Sequence, residues 1–224
     1  MVSLAEILQI TWLSLTVSGL AVLLAFLTGL PSAIWLYLRE FRGKRFIISL
    51  INTGMGLPPV VIGLFIALLF WRNGPLGFLQ LIYTPAAMVI AQFIIAFPVV
   101  AGLSFVAFEQ VETELLLQAR ALGASRLQMI KILINESRLG QLAALIAAFG
   151  GVISEVGAVM MVGGNLKGYT RVLTTSIVQE TRMGNFSAAI YLSLVLLALS
   201  FTVNWLLTSI QHRGETRWKR PNWK

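Results

Sequence analysis

The sequence predicts an all-α, polytopic membrane protein, and three observations carry that prediction. Mean hydropathy is +0.83. Hydrophobic residues fill 57% of the 224 positions and charged residues only 12%, about half the charged share of an ordinary soluble domain. Five apolar runs each exceed the roughly 20 residues, at about 1.5 Å per residue, that a bilayer crossing needs. Such a chain cannot hide its apolar surface from water by folding alone, so lipid is its solvent. It reads as one transmembrane unit, residues 1–224.

The first run covers residues 7–38 and is long enough that it must tilt or project from the membrane. Met1 to Glu6 carries no Lys or Arg, so the run reads as a span and not as a signal peptide. The second run covers 46–71 and is interrupted by Gly54, Gly56, Pro58, Pro59 and Gly63. The third covers 84–108 and is expected to break at Pro98 and Gly102. The fourth covers 139–165 and holds Gly150, Gly151, Gly157, Gly163 and Gly164. The fifth, 186–210, lacks such interruptions. Two readings of the interruptions stand. They make bent helices that pack closely through small residues, or they mark helices that line a pathway and rock during transport. Their concentration in three spans favours the second reading for the set. The pathway and gate candidates are Pro58, Pro59, Pro98, Ser154, Glu155, Gly157, Met160, Met161, Gly163, Gly164 and Asn165.

Charge sets the orientation. Four positives lie in residues 39–45, four in the loop 109–138 (Arg120, Arg126, Lys131, Arg138) and five in the tail 211–224 (Arg213, Arg217, Lys219, Arg220, Lys224). The opposite side holds Arg72, Lys167, Arg171 and Arg182. The positive-inside rule puts the three crowded segments in the cytoplasm. The N-terminus is then outside and, after five spans, the basic tail is inside. Trp12, Trp35, Trp71, Trp205 and Tyr83 fall near the expected interfaces. The net charge of +8 is not a nucleic-acid signature, because the positives sit at the ends of apolar runs.

Glu155 is the one acid well inside a span, close to the expected midplane. Such a group is costly in hydrocarbon and must face protein or water. It is either a structural acid bonded to a donor on another helix or part of the gate, and Asn52, Gln92, Ser154 and Asn204 are polar groups at similar depth. No enzyme chemistry is visible. There is no cysteine and one histidine, His212, in the basic tail, and no metal-ligand cluster. Gly43-Lys44-Arg45 mimics the end of a phosphate loop, but Leu38 stands where its first glycine belongs and Arg45 where Ser or Thr would hold magnesium. The chain is therefore expected to bind no cofactor of its own.

The loop 109–138 is polar and helical in character. Glu109, Glu112 and Glu114 suit a helix start. Gly123 suits its stop, and Ser125 the cap of a second helix running from Arg126 into Ile134. Helix, turn, helix on a membrane face makes a plug for a groove in a soluble partner. The candidate contact is Gln118, Ala119, Arg120, Ala121, Leu122, Gly123, Ala124, Ser125 and Arg126.

Ala119 to Ser125 resembles the cytoplasmic signature of binding-protein-dependent ABC importer permeases, the EAA loop with its glycine. The pattern departs at Leu117, the usual acidic position, at Gln118, the first alanine, and at Asn135-Glu136, which replace the closing Leu-Pro. Ile153 to Asn165, followed by Lys167 to Thr175, is similar to the permeases of tungstate importers, with molybdate and sulfate permeases as relatives. The resemblance implies a type I importer in a prokaryotic cytoplasmic (inner) membrane. It implies a permease homodimer, two ABC ATPase subunits that use ATP and Mg, and an extracytoplasmic binding protein that delivers the oxyanion. The loop would dock on the ATPase. Lys167, Tyr169, Thr170, Arg171 and Arg182 are the candidate outer contacts for the binding protein. An ionised Glu155 in the pore would repel a divalent oxyanion, so it is expected to organise the gate and not to hold the cargo. The rival reading, a stand-alone secondary transporter, would need an ion-coupling site and normally an inverted repeat; no internal repeat is present.

Overall fold

The computed structural model describes residues 3–215, and side chains as far as Gln211. The expected basic tail, with Arg213, Arg217, Lys219, Arg220 and Lys224, and His212 beside it, lies outside the described side chains. Among the described residues the structure is all helical. The elements are α1 (Leu4–Leu38), α2 (Lys44–Met55), α3 (Pro59–Phe70), a 3₁₀ turn (Gly77–Leu79), α4 (Pro85–Glu109), α5 (Thr113–Ala121), α6 (Arg126–Glu136), α7 (Arg138–Ile153), α8 (Gly157–Gly163), α9 (Leu173–Arg182) and α10 (Phe186–Glu215).

Lipid offers helices no hydrophobic gain for pairing, so close packing through small residues holds them together. In α1 the buried stripe includes Ser14, Ser18, Ala21, Ala25, Gly29 and Ala33, a spacing of three and four that keeps one face toward α4. A methyl on Gly29 would lie 3.1 Å from Val100 Cγ1, which shows how closely the two helices approach. The opposite face carries exposed Trp12, Leu20, Leu23 and Leu27. At 35 residues α1 is about 52 Å long, longer than the roughly 30 Å hydrocarbon core.

Helix α4 is the hub, packed against α1, α2, α3, α7 and α8. It runs unbroken through Pro98 and Gly102, which corrects the expected break of the third span. Buried Pro98 stacks against Gly54 of α2, where a Cβ would lie 2.9 Å from its ring. The absence of a side chain at Gly54 leaves room for the ring.

Among the described residues three helices are long and apolar enough to cross a membrane unaided: α1, α4 and α10 as far as Gln211. The second expected span is not one helix. α2 and α3 are bent by 100° at Gly56–Pro58, because Pro59 opens α3 and has no N–H to continue α2. The fourth is also divided. α7 stops at Ile153 and α8 starts at Gly157, while Gly164 and Asn165 lie past its end. Upstream, α6 leads into α7 through a 63° bend. Helix α10 extends beyond the expected end at 210.

The bundle has two distinct ends. One gathers Leu36, Phe108, Val111 and Leu133, from α1, α4, the start of the hairpin and α6. The other gathers Ile10, Leu173 and Leu192, from α1, α9 and α10. The Gln211 amide donates to the Leu139 carbonyl at 3.4 Å, which brings the far end of α10 to the hairpin end.

Candidate functional site

The two helix breaks meet. Gly157 lies against Val60, and a methyl on Gly63 would sit 2.6 Å from Ala158 Cα, so α3 and α8 start side by side. Both breaks are level with the middle of α4, where Gly54 faces Pro98 and Gln92 reaches the end of α7. This brings Pro58, Pro59, Pro98, Ser154, Glu155 and Gly157 into one region. Met160 and Met161 continue along α8 and are partly buried, whereas Gly163 is buried against Met88. Gly164 and Asn165, both with positive φ, form the corner past α8, where Gly164 lies under the Tyr83 ring.

A broken helix exposes carbonyls at one lip and N–H groups at the other, and each needs a partner. At the end of α7 the Ser154 hydroxyl donates to the Gly150 carbonyl (2.8 Å) and Gln92 Nε2 donates to the Val152 carbonyl (2.9 Å). At the start of α8 the Ala158 N–H donates to Glu155 Oε1 (2.9 Å). The Thr174 hydroxyl donates to the Glu155 carbonyl (3.0 Å) and ties α9 to the same point. Glu155 is thus a capping acid that faces a helix start, where negative charge is favoured. Of the polar groups at similar depth, Asn52, Gln92, Ser154 and Asn204, none bonds to its carboxylate among the described residues.

At the hairpin end, α5 closes in a Schellman turn. The Ala124 N–H donates to the Ala119 carbonyl and the Gly123 N–H to the Arg120 carbonyl, both at 3.0 Å. Gly123 has φ +85°, the left-handed conformation that this turn requires. Ser125 then opens α6 with a capping box: its hydroxyl accepts from the Gln128 N–H, and Gln128 Oε1 accepts from the Ser125 N–H at 2.7 Å. Gln118, Ala119, Arg120, Ala121, Leu122, Gly123, Ala124, Ser125 and Arg126 therefore form one fixed corner. Leu117, Leu122 and Leu127 project from it, exposed by 59%, 89% and 73%. A groove of about 480 Å³ between α5 and α6 runs past Ala119, Gly123, Gln128 and Lys131.

The outer candidates divide. Lys167, Tyr169 and Arg182 are exposed. Thr170 is fully buried; its hydroxyl donates to the Gly163 carbonyl and accepts from the Leu166 N–H. The Arg171 side chain is only 14% exposed and faces Glu6 at 3.8 Å, with Lys167 on the same carboxylate at 3.2 Å. Arg171 thus holds the loop after α8 to the start of α1, Thr170 ties that loop back to the end of α8, and the two leave little surface for a docking protein. Asn165 Nδ2 donates to Gln179 in the same region. Glu6 and Gln179 carried no signal in the sequence, because their partners are far along the chain.

The chain matches the family model described as "Binding-protein-dependent transport system inner membrane component" over residues 8–215. It is 41% identical over 206 residues to the tungstate uptake system permease protein TupB of Peptoclostridium acidaminophilum, covering 92% of this chain and 90% of that protein. It is 42% identical over 220 residues to a probable anion ABC transporter permease protein of Haloferax volcanii, covering 96% and 95%. Molybdenum and sulfate permeases are more distant relatives, at 28–32% identity. An inward-facing structure of the MetNI methionine ABC transporter superposes with a TM-score of 0.80 over 94% of this chain and 97% of that one, at 17% identity, a likeness of fold. A helical bundle with three long apolar helices and two sharply bent helix pairs, a match over nearly its whole length and relatives above 40% identity lead to one assignment: the chain belongs to the family of binding-protein-dependent transport system inner membrane components.

Proposed function

We propose that this chain is the membrane subunit of an ATP-driven, binding-protein-dependent importer whose cargo is an oxyanion, tungstate first, with molybdate or sulfate as the alternative. The observation that carries the proposal is the fixed α5–α6 corner with its projecting leucines, at the end of the bundle opposite Glu6. Identity to a tungstate uptake permease supports the choice of cargo. In this reading the chain crosses the prokaryotic inner membrane five times, counting each broken pair as one span, with its N-terminus outside and its C-terminus inside. It works as a homodimer with two ATPase subunits, which use ATP and Mg, and with an external binding protein. It holds no cofactor and catalyses no reaction itself.

The geometry supports a mechanism. Leu117, Leu122 and Leu127 seat in the ATPase, so nucleotide-driven motion reaches α6 first. The paired breaks at Gly56–Pro58 and Ser154–Val156 let the inner and outer halves of two spans move separately. Glu155 caps α8, so its charge is directed at backbone N–H groups and away from the anion. The chain, reconstituted with its ATPase subunits and binding protein, should accumulate tungstate in liposomes only with ATP. Accumulation by the purified chain without an ATPase would refute the proposal, and a preference for molybdate or sulfate would reassign the cargo.

A further inference from the structure

Helix α2 has three faces. At about 100° per residue, Ile47, Ile51 and Gly54 fall together, and they pack on α4 beside Phe105, Phe108 and Pro98. Phe46 and Leu50 fall on a second face, 72% and 62% exposed, a surface suited to lipid. Arg45, Ser49, Asn52 and Thr53 share the third, and Gly56 continues it to the break. These four line a shallow groove of about 540 Å³ together with Ile48. Thr53 donates to the Ser49 carbonyl at 2.8 Å. Among the described residues, Arg45, Ser49 and Asn52 make no side-chain hydrogen bond.

Asn52 lies one turn from the break and beside Gly102, in the inner half of the bundle. A carboxamide there cannot face hydrocarbon without cost, so the third face needs water or a polar occupant. Its side chains are hydroxyls, an amide and a guanidinium, with no carboxylate among them. That set can donate hydrogen bonds to a passing anion and has no charge to repel it.

We infer that this face of α2 lines the water-filled cytoplasmic half of the oxyanion path, with Arg45 at its mouth and Asn52 just inside the gate. The inference rests on the importer reading and gives the path its lining.

The chain has no cysteine, so single thiols can be placed without altering the background. In the assembled complex in inside-out vesicles, Ser49→Cys, Asn52→Cys and Thr53→Cys should react with a charged, membrane-impermeant methanethiosulfonate. Leu50→Cys and Ile51→Cys should react about tenfold more slowly or less, because only a hydrated thiol ionises. Millimolar tungstate should slow the first group. Equal labelling of Leu50→Cys, or silence of all three stripe positions in every nucleotide state, would overturn the inference. At equal complex yield, Asn52→Asp should import tungstate about tenfold more slowly than Asn52→Ser, the effect of a unit negative charge about 6 Å from a divalent anion in water. Equal rates would also overturn it. Import with a silent stripe defeats only this inference, whereas a labelled stripe in a complex that imports no oxyanion defeats the importer reading.

Discussion

Gly123 allows conformational strain to be separated from collision. Its φ is +85°, yet nothing lies within 4 Å of the position a Cβ would take. Gly123→Ala therefore adds a methyl group that touches nothing, and its cost is that of the left-handed backbone alone, about 1–2 kcal/mol. That lowers the population of the intact turn by a factor of about 5–30. Gly123→Asn should recover most of the loss, because asparagine adopts this conformation at helix ends. Gly123→Val, β-branched at a positive φ, should be worst. The readout is anion imported per ATP hydrolysed by the reconstituted complex, since a distorted corner still permits hydrolysis but transmits less of it. The expected order of coupling is Gly, Asn, Ala, Val. Normal coupling by Gly123→Val, or Asn no better than Val, would refute the reasoning.

Glu155→Gln keeps an acceptor for the Ala158 N–H and should import anion at near the native rate, whereas Glu155→Ala loses the cap and should lower stability by about 0.5–2 kcal/mol, read as the melting temperature in detergent. If Glu155→Gln is inactive while folded, the charge does more than cap. Glu6→Gln leaves the mostly buried Arg171 guanidinium without its carboxylate and should lower stability by about 1–3 kcal/mol. Adding Arg171→Gln to that variant should cost little more, and a full additive loss in the double-mutant cycle would show that the two do not act together.

The all-helical class, the apolar runs and the hairpin were legible in the sequence because each rests on local chemistry. Hydropathy marks apolar helices, Gly123 marks a left-handed turn, and Ser125 marks a helix start, although its Gln128 partner was not singled out. Pro58-Pro59 signalled an interruption, but the two prolines alone do not distinguish a kink from the observed 100° break. The end of α7 was harder to read. Ser154, Glu155 and Val156 include no proline, and the break is held by Gln92 and Thr174, 60 and 19 residues away. Pro98 misled in the other direction: α4 runs through it unbroken, and its ring packs against Gly54 across the helix interface. The partners of Arg171 and Thr170 lie across a loop or at the other end of the chain, so their basic or polar character read as surface. The polar stripe of α2 was present in the residue spacing but hidden within a run that averages as apolar.

In the proposed mechanism, the buried chain of hydrogen bonds at the α6–α7 bend carries a push on the hairpin to the helix break. The Ser104 hydroxyl of α4 donates to Gln141 Oε1 at 2.6 Å, Gln141 Nε2 donates to the Ser137 hydroxyl oxygen at 3.3 Å, and Ser137 donates to the Leu133 carbonyl at 2.7 Å. Ser104, Ser137 and Gln141 are all buried, so each bond is protected from exchange with water and expensive to leave unmade. They fix the 63° bend and make α6 and α7 one angled rod from Arg126 to Ile153. The α7 arm has 16 residues, about 24 Å, so a 10° rotation about Ser137 moves its far end, at Ser154, by about 4 Å. That displacement approaches one helical turn and is enough to open or close a passage at the break. Without the brace the bend would flex and absorb the motion. Gln141→Met removes two of the three bonds while keeping an unbranched side chain of similar length. It should leave ATP hydrolysis intact and reduce the anion imported per ATP, with a stability loss of about 1–3 kcal/mol. A variant that loses that stability yet couples as tightly as the native complex would show that the force travels by another route.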